Sequence, residues 1–322
     1  MAGVTLRRVP IDDYVREVMP QTASLWMGRR DFETYVEQVL AIAESPYGKR
    51  GYRTFGLFDG ERMVASFKRY ERIVRAGPTP LRTFGIGAVF TPEAYRGCGY
   101  ASVMLAAALD AGRAEGYDAA FLFSDIAPQF YEPLGFTALP SRRIVLRADT
   151  LPARRLRPDA LRERDWPGVR RCYDFGESLR EPSFVRTAAT WAYVRLRLRE
   201  EALTSGLRQT DLVLRRGRSV VAYVLGARVP ERDVYAVDEF GCAGPEFIAT
   251  IPALLRAAAG DLRRIAGWLP PAGAREWLPP GTVRQRRSET FMAAALTPRG
   301  KHLVAAFADS GRADPCWHAD HV

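Results

Sequence analysis

The chain has 322 residues, 47% of them hydrophobic, 26% charged and 11% aromatic, with a formal net charge of +10. That apolar content excludes intrinsic disorder, no run of about 18 apolar residues offers a membrane span, and the length predicts two domains at roughly 150 residues each. Met1 to Arg8 lack the apolar stretch of a secretory signal. Cys98, Cys172, Cys242 and Cys316 are dispersed, forming neither a disulfide framework nor a CxxC zinc pair. The expectation is a soluble protein of the reduced cytoplasm. The positive charge is almost all arginine, the only lysines being Lys49, Lys68 and Lys301. Its scatter argues against a nucleic-acid groove, which needs a basic stripe interleaved with aromatics.

In chain order, Val4–Val9 predicts a strand, and Asp12 and Asp13 open a helix with Tyr14, Val15, Val18 and Met19 at helical spacing. A second helix is predicted from Asp31 to Ala43. Arg53–Phe58 and Met63–Tyr70 flank an Asp59-Gly60 turn, a hairpin signal. Leu81–Phe90 is a long apolar strand. A helix opens at Gly99, with Ala101, Met104, Leu105, Ala108 and Leu109 along one stripe. Ala119–Phe123 reads as a buried strand, Pro128–Leu134 as a short helix, and Phe136–Leu139 and Arg143–Leu146 as strands closing the sheet. Ala148 to Pro158 carries two prolines and no periodicity, which places a linker at 149–157.

The order then partly repeats. Helices are predicted through Asp165–Tyr173, Ala189–Leu203 and Phe247–Ala259. Strands are predicted at Asp211–Leu214, Val220–Ala227, Val234–Phe240, Arg264–Leu269 and Phe291–Leu296. Two copies of one α/β (α+β) fold are expected, at 1–148 and 158–297, with 298–322 as a tail.

One stretch carries chemistry. Gly85 to Phe90 runs from a strand into Tyr95-Arg96-Gly97-Cys98-Gly99-Tyr100-Ala101 and then a helix. A helix start nearly free of side-chain bulk presents unpaired N–H groups backed by the helix dipole. That suits a pyrophosphate. No Gly-Lys-Ser/Thr follows, so it is not a Walker loop, and it is not GxGxxG either.

Arg96-x-x-Gly99-x-Ala101 resembles the Q/R-x-x-G-x-G/A signature of the GNAT (GCN5-related) N-acetyltransferases. Phe130-Tyr131-Glu132-Pro133-Leu134-Gly135-Phe136 is similar to that family's FYxxxGF segment. The resemblance implies a central strand that ends in a bulge and splays from its neighbour. Acetyl-CoA would pair its pantetheine with Ala88, Val89 and Phe90 and seat its pyrophosphate on the amides of Arg96, Gly97, Cys98, Gly99, Tyr100 and Ala101. Ser124 and Asp125 would line the cofactor cleft. Tyr131 falls where the family places a tyrosine beside the thioester sulfur, and a phenol is protonated at neutral pH. The family's acceptor site falls at Trp26, Met27 and Arg30.

Many members use a glutamate on the central strand as base, but Phe84-Gly85-Ile86-Gly87-Ala88 holds no acid. Asp125 and an ordered water remain candidates. Val234–Phe240 in the second half is followed by Gly241-Cys242-Ala243-Gly244-Pro245, where Pro245 removes an amide from any anion nest. The second copy therefore reads as non-catalytic. This arrangement resembles the Eis-type tandem acetyltransferases without their sterol-carrier-like third domain. In that group the C-terminal carboxylate serves as base, which here would be Val322, with Asp320 and His321 beside it. Cys316-x-His318-x-Asp320-His321 is a weak metal motif, because one short segment seldom supplies convergent ligands. The expected function is acetyl-CoA-dependent N-acetylation of a small-molecule amine, with no metal, nucleic-acid or membrane partner. The competing reading is a non-catalytic acyl-CoA sensor on the same fold.

Overall fold

The structure is a computed structural model that describes residues 3–126, 128–154, 156–269, 277–309 and 314–322. Four antiparallel strands open the chain: β1 (Val4–Val9), β2 (Tyr52–Asp59), β3 (Arg62–Arg75) and β4 (Leu81–Phe90). Gly60 takes φ 59° in the tight β2–β3 turn, a left-handed geometry that only glycine adopts without strain. Between β1 and β2 lie α1 (Met19–Trp26), which ends a helical stretch begun at Ile11, and α2 (Phe32–Glu44). The Asp31 carboxylate caps α2 by accepting the Thr34 N–H at 2.7 Å. A crossover helix, α3 (Tyr100–Ala114), packs Met104, Leu105, Ala108 and Leu109 on the sheet. It delivers β5 (Ala119–Ser124) parallel to β4.

The second half runs through β6 (Arg142–Arg147), α4 (Trp166–Ser178), α5 (Ala188–Ser205), β7 (Leu212–Arg216), β8 (Ser219–Val229) and β9 (Val234–Cys242). It ends with α6 (Ile251–Ala259), β10 (Arg264–Trp268), β11 (Thr290–Ala295) and α7 (Pro298–Ala308). Two eight-stranded mixed sheets result, each flanked by helices. The expected pair of tandem α/β units is present. Among the described residues no helix is long and apolar enough to cross a membrane.

The sheets exchange strands. β6, expected to close the first sheet, pairs antiparallel with β10 in the second, from Arg147↔Arg264 to Arg143↔Trp268. β11, expected to finish the second sheet, pairs antiparallel with β5 in the first, from Thr290↔Ser124 to Ala295↔Ala119. The sequential bounds 1–148 and 158–297 therefore do not follow the sheets. Short apolar runs state that a strand is buried but not beside which partner it lies. The segment 298–322 is also more than a tail. Residues 298–308 form α7, whose Phe307 packs edge-on to Phe291 with ring centroids 5.4 Å apart. Asp314, Cys316, Ala319 and Asp320 are buried.

The two sheets repeat one irregularity. Ser66↔Phe90 and Lys68↔Gly87 leave one extra residue in β4, and Leu225↔Glu239 and Gly226↔Val237 leave one in β9, which is Asp238. Each bulge lies just past the last parallel pair to the next strand, Ile86↔Leu122 and Val237↔Gly267. Beyond those pairs the strands part, because a bulge bends its strand and ends pairing.

The exchange makes the first sheet depend on residues near the end of the chain. Phe291 is fully buried between β5 and α7. Phe291→Ala is expected to cost about 3–5 kcal/mol in urea unfolding, and a loss under about 1 kcal/mol would contradict this strand order.

Candidate active site

The split between β4 and β5 is the centre of the site. Among the described residues, the β4–β5 pairing ends at Ile86↔Leu122, and Gly87 to Phe90 pair with none on the β5 side. Ala88 holds φ 47° there, a left-handed backbone that costs a residue with a side chain about 1–2 kcal/mol. The chain then turns through Glu93–Tyr95 to Gly97 and Gly99, which take φ 75° and 78°. Gly99 is the N-cap of α3, and the first helical amide to reach a carbonyl is that of Val103, on Gly99 at 3.1 Å. The amides of Tyr100, Ala101 and Ser102 consequently point out of the helix end. A Cβ on Gly97 would meet nothing within 4 Å, so the constraint there is conformational. Arg96 and Cys98 are exposed, and Arg96 Nε donates to the Thr91 carbonyl at 3.2 Å.

The predicted cleft residues fall at the mouth of the same split. Ser124 ends β5, buried, its hydroxyl donating to the Ile126 carbonyl at 2.8 Å. Asp125 follows at the surface, and burial of its carboxyl, reinforced by Glu289, raises its pKa. The predicted helix at Pro128–Leu134 is two short 3₁₀ turns broken at Tyr131. Tyr131 is buried between Phe130 and Phe136, with edge-on rings 4.9 and 5.9 Å away. Burial, helped by Asp125, raises its pKa and keeps the phenol protonated.

Val322 lies on the central strand. A Cβ on Gly85 would come within 2.7 Å of Val322 Cγ2, and one on Gly87 within 3.1 Å of the Val322 carbonyl carbon and oxygen. Glycine in a strand interior is otherwise destabilising. Here Gly85 and Gly87, two residues apart and so on one face, leave the groove that the last residue fills.

A set of buried arginines holds the preceding segment in place. Arg142 binds Asp314, Arg180 Nη1 reaches the Pro315 carbonyl at 3.0 Å, and Arg197 Nη2 reaches the His318 carbonyl at 2.7 Å. Arg186, fully buried, joins Asp320 at 2.9 Å and Glu239 at 2.6 Å, and Tyr223 donates to Glu239 at 2.5 Å. The segment runs into the split of the second sheet. His318 Nδ1 lies 2.7 Å from Asp238 on the β9 bulge, and Trp317 packs edge-on to Phe240. Trp268, at the end of β10, meets the rings of His318 and His321 at 5.1 and 5.8 Å.

Trp26, Met27 and Arg30 do not form one exposed recognition surface. Trp26 packs edge-on to Phe90 at 6.3 Å, on the strand that bounds the cleft. Met27 belongs to the same apolar cluster. Arg30 is buried, its guanidinium bound to the Trp26 and Met27 carbonyls, Gln38 and Glu200. It clasps the α1–α2 turn to α5. The motif Cys316-x-His318-x-Asp320-His321 likewise does not converge on one point, since Asp320 faces Arg186 and His318 faces Asp238 and Glu201. The donor atoms of Glu201, Asp238 and His318 do lie within 4.8 Å of one another, but His318 already bridges the two carboxylates.

Lys68 escaped the sequence reading. It is buried opposite Gly87, bonded to the Tyr52 hydroxyl and 4.3 Å above the Tyr14 ring. Burial lowers its pKa to about 8. A single lysine in a strand carries no pattern that would have revealed this.

Residues 22–139 match the family model described as an acetyltransferase (GNAT) domain. That stretch, which holds the β4–β5 split, the Arg96–Ala101 loop and Tyr131, is thus similar to a GNAT domain. A lysine acetyltransferase of Yarrowia lipolytica is 32% identical over 110 residues, a match that covers 32% of this chain and 28% of that protein. This chain thus spans less than a third of that relative's length. Among solved structures, a GCN5-related N-acetyltransferase from Anabaena variabilis superposes with a TM-score of 0.70 at 11% identity, over 91% of this chain and 73% of that one. Eis1 from Mycobacterium abscessus gives 0.58 at 13%, over 91% and 74%. A tandem GNAT protein from the clavulanic acid biosynthesis pathway gives 0.52 at 12%, over 92% and 99%. These likenesses establish the tandem GNAT fold for the chain as a whole. Both GNAT-like sheets split in the same way, but in the second the Pro245–Thr250 turn replaces the helix start of the first, and the chain's own segment 317–321 lies at the split.

His318 gives the segment 314–322 a pH dependence. Burial disfavours its charge, but Glu201 and Asp238 outweigh burial and hold its pKa above the ordinary 6.5. A raised histidine contributes stability that is complete below 6.5 and is lost as pH rises through the folded-state value. The stability difference between wild type and His318→Gln is therefore expected to shrink from pH 6 to pH 9 in thermal melts. A difference constant with pH would show that folding does not shift the ring's pKa, and one that grows with pH would show that the ring is held uncharged.

Proposed function

We propose that this protein transfers an acetyl group from acetyl-CoA to a primary amine of a small molecule, by direct attack within a ternary complex. The observation that carries this reading is the seat of Val322 on Gly85 and Gly87, next to the β4–β5 split that faces the α3 amides. The diphosphate would sit on the N–H groups from Arg96 to Ala101, where dipole and free donors coincide. The pantetheine would add to the unpaired edge at Ala88, Val89 and Phe90 in the manner of an extra strand.

In the reaction, the amine loses a proton and its nitrogen bonds to the thioester carbon. The negative charge that forms on the carbonyl oxygen is met by a strand amide, that of Val89. The C–S bond then breaks and the thiolate takes a proton. Two residues fit the proton transfers. The α-carboxylate of Val322 is the base, filling the role that the acid-free central strand leaves open. Tyr131, held protonated by burial, is the acid. Asp125 serves to line the cleft.

Acetyl-CoA is expected to bind by calorimetry, and free thiol to appear when a panel of amines is offered. Binding without thiol release from any amine would leave a sensor in place of an enzyme. Tyr131→Phe is expected to lower kcat about 100-fold, within the usual reach of general acid catalysis, with little change in acetyl-CoA affinity. An unchanged kcat would remove the phenol from the mechanism. Appending two glycines after Val322 moves the carboxylate while keeping every side chain. A loss of kcat of similar size is expected, and full turnover would exclude that carboxylate as the base.

A further inference from the structure

A cavity of about 580 Å³ lies over β6, β10 and β9 in the second half, beneath α5. Its size falls in the ordinary range for a small-molecule site, roughly 300–1,000 Å³. Five arginines and three carboxylates line it. Two of the carboxylates, Glu201 and Asp238, are held by His318. The third, Glu289, accepts the Trp268 indole N–H at 3.2 Å.

One wall is Arg286. It is only 6% exposed. Its guanidinium carbon stands 3.5 Å from the Trp268 ring centroid. Among the described residues its Nε, Nη1 and Nη2 have no hydrogen-bond partner. The two neighbouring carboxylates bond other donors, Asp314 the backbone N–H and Nε of Arg142 and Glu289 the Trp268 indole N–H. A buried guanidinium with no acceptor is unfavourable in the free protein. Its flat fork, stacked on an indole, matches the two oxygens of a carboxylate.

Packed side chains connect the cavity lining to the end of β5. Glu289 lines the cavity, and its carboxylate is near enough to act on the charge of Asp125 at the mouth of the β4–β5 split. Trp268 packs 5.2 Å from Phe123 on β5, and the His321 ring lies tilted against Phe123 and edge-on to Trp268. Val322 follows directly. His318, which lines the cavity, stands four residues before Val322.

We propose that this cavity is the acceptor site and that Arg286 grips a carboxylate of the acceptor, so that the acetylated amine belongs to an amino-acid-like molecule. The inference rests on the acyl-transfer reading of the β4–β5 cleft and names the class of its second substrate.

The test compares matched probes on the full chain by calorimetry. The ω-amino acids from glycine to 6-aminohexanoate are titrated beside the alkylamines that lack only the carboxylate. The best-fitting amino acid is expected to bind wild type at least tenfold tighter than its alkylamine. Arg286→Gln is expected to erase that preference without altering acetyl-CoA affinity. Its Tm without ligand should equal or exceed that of wild type, because the variant removes an unpaired buried charge. Arg286→Lys keeps the charge, loses the fork and should retain a fraction of the preference. Equal affinities within each pair in wild type, or a preference that survives in both variants, would overturn the proposal. Absence of acetyl-CoA binding in wild type would instead strike the acyl-transfer reading, leaving the carboxylate result to be read from its own titration.

Discussion

Thr290–Ala295 pairs with Ala119–Ser124 along its whole length, and most of what distinguishes this molecule follows from that ladder. A strand from the second half completes the first sheet, while Arg142–Arg147 from the first half completes the second. Neither sheet keeps its full set of strands without the other half of the chain. The ladder also sets direction. Once β11 lies beside β5, the residues before it, Arg286 and Glu289, sit near the open end of the β4–β5 split, and those after it return through α7 toward the same place. Backbone pairing of a fully buried strand leaves little freedom of register, because a slip of one residue would turn Phe291 and its neighbours to the opposite faces.

Two copies of one device have diverged here through what fills them. In each sheet a bulge parts two parallel strands. In the first, glycine-rich backbone and a bare helix start leave the opening lined with unpaired amides. In the second, Pro245 and a 3₁₀ turn stand where the helix start would be, and the segment from Trp317 to His321 is bound there through Asp238, Glu239 and Arg186. A buried arginine between two carboxylates contributes little net stability, but loss of one partner is severe. It therefore fixes a position more than it adds stability, and the position fixed is that of Val322.

The legible part of the site was the part built from local backbone. The loop from Arg96 to Ala101 owes its shape to glycines at 97 and 99 and to the helix that follows, all of which lie within a few residues. Tyr131 was legible for the same reason, although the helix expected around it is two 3₁₀ turns. The absence of an acid in Phe84–Ala88 was visible, but its cause was not. Gly85 and Gly87 are small because Val322, more than two hundred residues later, rests on them. The burial of Arg30 was not legible, because its partners, Gln38 and Glu200, are brought to it by the packing of α2 and α5. Arg286 and Trp268 gave no local signal, since a cationic stack over an indole has no sequence spacing.

Taken alone, the order of residues determined most of the elements, the two-fold repetition, and the glycine-lined start of α3 with its outward amides, because hydrophobic period, caps and glycine conformations act over one or two turns of chain. It did not determine which sheet receives β6 and β11, where the last nine residues lie, or which arginine is left without an acceptor. Those were decided by side chains and backbones meeting across distances that no periodicity encodes. A strand's pattern reports that both faces are buried, and only the assembled core specifies against what.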